Sequence, residues 1–85
     1  MAWGRKDDRD PLERALEGAR GLKPGAWESV ETLAILALAS RDRPEARALY
    51  DTGLEASRSL SVGSWQSVRA LALLAHAARE PGIAG

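Results

Sequence analysis

The chain contains no cysteine, so disulfide staples, thiolate metal sites and thiol nucleophiles are all excluded. It has one histidine, His76. A metal would find no second imidazole, and carboxylates alone are an unspecific ligand set. Nucleophilic catalysis would need a serine held by that histidine and an orienting acid, and no spacing in the chain suggests that arrangement. An excess of either charge is also missing, since twelve basic and twelve acidic side chains cancel. The sustained positive field that phosphate backbones or anionic lipids require is therefore absent, and neither nucleic acid nor a membrane is expected as a partner. The longest uninterrupted apolar run, 33–39, falls far short of the roughly 20 residues that span a bilayer. The opening MAWGRKDDRD lacks the apolar segment of a secretory signal, which points to a cytoplasmic protein. The glycines are scattered among chain breaks and do not form a phosphate-binding turn, so nucleotide binding is not expected. Together these absences argue for a protein that is not an enzyme and uses no cofactor.

What is present is a duplication. Residues 25–41 read GAWESVETLAILALASR and 63–79 read GSWQSVRALALLAHAAR. The match extends upstream, where Leu16, Glu17, Arg20 and Leu22 recur at the same offset as Leu54, Glu55, Arg58 and Leu60. Internal repeats of this length most often denote stacked helix pairs.

No stretch alternates as a strand does, and the expected fold is all-α, with four antiparallel helices joined by short breaks. A polar, mobile tail is expected over 1–9, followed by one helical-repeat domain over 10–85. Asp10-Pro11 starts the first helix, which runs to about Gly21 with Leu12, Ala15, Leu16 and Ala19 on one face. The second, about 26–40, carries Trp27, Val30, Leu33, Ala34, Ala37 and Leu38 on a stripe that Ile35, Leu36 and Ala39 widen almost to the full circumference. Such a helix should be central, packed on more than one side. Asp42-Arg43-Pro44-Glu45 has the form of a capping box and predicts a third helix from about Arg43. Its inward face is Ala46, Leu49, Tyr50, Gly53, Leu54, Ser57 and Leu60. Gly53 in mid-helix costs about 1 kcal/mol relative to alanine, which favours a site of close helix contact. Ser61 or Ser64 caps the fourth helix, about 65–79. By analogy with the second helix, Trp65, Val68, Leu71, Ala72, Leu74, Ala75 and Ala78 should face inward, and Pro81-Gly82 should end the helix.

The pair of helices over 26–60 resembles a tetratricopeptide-type repeat: Val30, Leu33, Ala34 and Ala37 fit that family's first helix, and Ala46, Tyr50 and Gly53 its second. Arg58 stands where the family's closing proline is usual, and the period of 38 exceeds the usual 34. The resemblance covers one full pair flanked by a half repeat on each side. It implies a helix-hairpin stack whose grooved face holds a peptide or another protein, with a plain four-helix bundle as the alternative. Such stacks need about three units to cover their apolar faces. This chain has two at most, so two copies are expected to associate, by default as a symmetric homodimer.

Trp27, Tyr50 and Trp65 are the candidate protein-binding residues. The two tryptophans hold equivalent positions, and each is either a packing residue or a partner anchor, since tryptophan is enriched where interfaces gain most of their affinity. Trp3 either folds back on the domain, docks on a second subunit or is disordered. His76, whose counterpart is Leu38, reads as a packed or partly exposed residue. Arg20 and Arg58 complement helix C-termini, and Glu17 and Glu55 belong to solvated faces. The expected function is a non-catalytic interaction or scaffold module. The competing reading, a small helical DNA-binding regulator or antitoxin-like protein, would require basic side chains concentrated on a single helix.

Overall fold

The computed structural model describes residues 8–21 and 23–84. The expected tail therefore lies outside the described residues except at Asp8 and Arg9, and so does Trp3. Among the described residues five helices follow in order: α1 (Pro11–Gly21), α2 (Trp27–Ala39), α3 (Glu45–Ser57), α4 (Trp65–Ala78) and the short α5 (Pro81–Ala84). No strand is present among the described residues.

The helix starts show how the sequence sets these boundaries. At α1, Asp10 accepts a hydrogen bond from the Leu12 amide through Oδ1 at 3.2 Å and one from the Arg14 amide through its carbonyl at 3.1 Å. The first satisfies a first-turn amide that has no partner within the helix, and the second is the helix's opening i→i−4 bond. Ser64 does the same for α4, its Oγ accepting from the Ser67 amide at 3.2 Å. Replacing Ser64 with alanine should therefore lower stability by about 1 kcal/mol, seen in a thermal melt as a midpoint drop of about 4–8 °C. Ala26 caps α2 without a side-chain bond; instead Ser29 Oγ reaches back to accept from the Gly25 amide at 2.8 Å.

The capping box expected at Asp42 does not form. The α2–α3 turn is built around Ser40, which is fully buried. Its Oγ donates to the Leu36 carbonyl at 2.6 Å, and its own carbonyl accepts from the Arg43 amide at 2.8 Å. These bonds use up residues 40–44 in the turn, so α3 begins at Glu45 with Pro44 as its cap. Asp42 is left exposed, two residues upstream of the cap position.

Helix α2 is central and touches α1, α3 and α4. Val30, Leu33, Ala34, Leu36 and Ala37 are buried along it. Alanine positions let neighbouring backbones approach. Val30 and Ala34 pack with Ala70 and Leu74 of α4, and Trp27, Tyr50, Ala56, Leu60 and Leu73 close around them. A second cluster joins Ala37, Ala46 and Ala77 to Ile83 of α5. Gly53 lies at the α2–α3–α4 junction, where a Cβ would come within 3.2 Å of Leu74 Cδ1 and 3.3 Å of Leu33 Cβ. Gly53 is thus a point of close helix contact, where a Cβ would fit only if Leu74 or Leu33 gave way by a few tenths of an ångström.

Two expectations are corrected by α4 and α5. Ser67, Ala70, Leu74 and Ala77 are the buried residues of α4. Trp65, Val68, Ala72 and Ala75, expected inside, are exposed, and Leu71 and Ala78 are partly buried. The repeated stripe is covered in α2 because α4 lies on it; among the described helices, no further one lies on the copy carried by α4. Pro81-Gly82, expected only to stop α4, opens α5, because proline suits a first helical position. Ile83 then becomes one of the largest fully buried side chains.

Candidate functional site

The sequence copies lie side by side in register. Glu31 of α2 and Arg69 of α4 occupy the same repeat position, 38 residues apart, and form an ion pair. Val30 and Ala34 share one cluster with Ala70 and Leu74, and Ala37 shares the next with Ala77. Contacts thus advance in the same direction along both helices, which run parallel.

This arrangement gives the two matched tryptophans opposite settings. Trp27 is partly buried against the Val30, Ala34, Ala70 and Leu74 cluster. Trp65 is 85% exposed. Tyr50 is partly buried and touches both clusters. The three candidate residues are therefore not brought together; only Trp65 presents its indole to solvent. It stands beside Val62, 71% exposed, and Val68, 41% exposed. These three, with Gly63 and Ser64, line a shallow depression at the start of α4. The loop beneath is held by the Ser64 cap and by the Gly63 amide donating to Ser61 Oγ at 3.2 Å, so the indole projects from a tied backbone.

A second concavity lies between α1 and α2, lined by Ala19, Pro24, Ser29, Thr32, Leu33 and Thr52, with Lys23 and Glu28 also on its wall. Sequence reasoning did not single it out, since its walls come from three helices and the α1–α2 connection. Its floor residue Leu33 is 7% exposed.

The polar groups are engaged locally. Arg43 reaches Asp10 and Glu13 at 3.9 Å each, Arg20 reaches Glu45 at 3.5 Å, and Arg58 donates to Glu55 at 3.1 Å. The first three fasten α1 to the start of α3, where Leu16 supplies the only buried side chain among the described residues of α1. Pairs this exposed contribute about 0–1 kcal/mol each. His76 is exposed on α4. Among the described residues no three His, Asp or Glu side chains gather closely enough to hold a metal ion, and no helix is long and apolar enough to cross a membrane. Compared with protein-family models, with curated proteins and with solved structures, the chain matches none.

Proposed function

We propose that this chain is a non-catalytic protein–protein interaction module, cytoplasmic, organised as a tetratricopeptide-like helix stack that associates with at least one further copy of itself. The observation that carries the reading is Trp65, 85% exposed at the capped start of α4, beside exposed Val62 of the preceding loop and exposed Val68 of the helix. A large indole in water is an unusual use of an apolar side chain, and tryptophan anchors are where protein interfaces gain most of their affinity. The remaining apolar stripe of α4 extends the patch along the helix.

Sedimentation equilibrium tests the proposal. The wild-type protein should exceed its 9.1 kDa monomer mass as concentration rises to about 1 mM. Trp65→Ala should return it to the monomer with an unchanged helical circular-dichroism spectrum. A wild-type chain that stays monomeric throughout that range would refute self-association.

A further inference from the structure

We infer that the self-association proposed above is head-to-tail: the outer face of α4 receives the outer face of α2 from a second copy, repeating between chains the contact that α2 and α4 make within one. The inference rests on that reading and adds the identity and orientation of the occupant.

The internal contact has two halves. One is the α2 stripe of Trp27, Val30, Ala34 and Ala37; the other is the α4 stripe of Ala70, Leu73, Leu74 and Ala77, which packs onto it. Because the chain is duplicated, each helix also carries a copy of the other half. On α4 the first half recurs as Trp65, Val68, Ala72 and Ala75, and every one of these is exposed. On α2 the second half recurs as Thr32, Ile35, Leu36 and Ala39, of which all but Leu36 are exposed. Ile35, 45% exposed, is otherwise an unexplained aliphatic side chain in water. Its copy, Leu73, packs against the α2 core. The exposed residues on the outer faces of α2 and α4 are thus the two unmated halves of a contact the protein already makes.

Shape agrees with this assignment. Within the chain, Trp27 packs against the cluster that contains Ala70. The copy of Ala70 is Thr32, which lines the apolar concavity between α1 and α2. In the repeated contact, Trp65 of one copy comes to that concavity in the next.

Charge decides between this arrangement and a symmetric one. Helix α2 carries Glu28 and Glu31 and no basic residue, whereas α4 carries Arg69 and no acidic one. An α4–α4 pairing brings together helices that carry arginine and no carboxylate, and an α2–α2 pairing brings together helices that carry glutamates and no basic residue, so neither offers an opposite charge. An α2–α4 pairing joins opposite charges, as Glu31 and Arg69 already do in one chain. The Arg69 side chain remains 68% exposed although it already holds its own Glu31, which is 20% exposed, so the arginine has room for a second carboxylate from the next copy. Complementary charge of this kind chiefly sets register and excludes wrong pairings. A heterologous contact leaves each assembly with one free face at either end, so copies add until a ring closes or a filament grows.

The test uses two full-length surface variants, Trp65→Asp and Ile35→Asp, each verified as folded by circular dichroism. Each alone should lose self-association, with its dissociation constant raised at least tenfold. Mixed in equal amounts they should form a dimer and nothing larger, because one supplies an intact α2 face and the other an intact α4 face. Recovery of the dimer only on mixing supports the inference. Wild-type association combined with an Ile35→Asp variant that still dimerises by itself would overturn the head-to-tail arrangement while leaving self-association standing. A wild-type chain that never associates would overturn both.

Discussion

Replacing Leu74 with alanine is expected to lower stability by about 2–5 kcal/mol, the largest effect of any single truncation in α4. Leu74 is 4% exposed and is the one long aliphatic side chain that α4 buries fully, between Val30 and Ala34 on one side and Gly53 on the other. Three of its neighbours, Ala34, Ala70 and Gly53, are too small to extend into the void, so much of the cavity should persist. Domains hold about 0.05–0.15 kcal/mol per residue, so the loss is a large part of the total. A urea titration should show the midpoint falling with the slope unchanged. Val68→Ala, one and a half turns away on the exposed side, should move it by less than about 0.5 kcal/mol. Equal losses at the two positions would contradict the observed rotation of α4.

The second large effect is expected at the C-terminal end. A Cβ at position 82 would come 2.1 Å from the Arg41 carbonyl oxygen and 3.1 Å from its carbon. No described glycine has positive φ, so the requirement at Gly82 is one of space alone. The obstructing atoms are backbone in a turn held by Ser40, and they cannot step aside. Gly82→Ala should therefore lift α5 off the turn, withdrawing Ile83, 1% exposed, from the Ala37, Ala46 and Ala77 junction. It should also release the bond that Arg47 Nη1 donates to the Ile83 carbonyl at 3.2 Å. The cost should match that of Ile83→Ala, about 2–5 kcal/mol, and the double variant should be no worse than either single one, since both remove the same docking. Faster tryptic cleavage after Arg79 in all three variants would confirm undocking; additive losses would show that the two residues act separately.

The sequence made some of this legible because certain residue types have few alternatives. Asp10-Pro11 marks a helix start since it satisfies a free amide in a way few other residues do, and a serine cap was legible for α4, though only the structure chose Ser64 over Ser61. Gly53 in mid-helix makes sense chiefly where another chain segment crosses closely. The nearly all-round apolar circumference of α2 identified it as central for the same kind of reason. The face of α4 was not legible. Its residues are apolar on more than one side, so spacing alone does not say which side meets a neighbour. Borrowing the answer from α2 failed because the two copies have different surroundings: α2 lies between elements on several sides, whereas α4 has α2, α3 and α5 and nothing described beyond. Asp42 had the spacing of a cap, yet the Ser40 turn displaced the helix start. Ile83 carried no signal in its short surroundings, since its burial depends on Ala37 and Ala46, distant in sequence, as well as on Ala77. Of the candidate binding residues, Trp27 and Trp65 are indistinguishable by local sequence, and only packing separates them.

That separation equips the protein with two optical reporters of different events. The indole of Trp27, against apolar neighbours, should emit toward the blue and shift to the red when the chain denatures. The indole of Trp65, 85% exposed, should emit as a hydrated chromophore accessible to iodide, and denaturation should scarcely alter it. Its spectrum should respond when something covers it, so in a Trp3→Phe background, with Trp27 and Trp65 changed in turn to phenylalanine, folding and docking can be followed as separate signals.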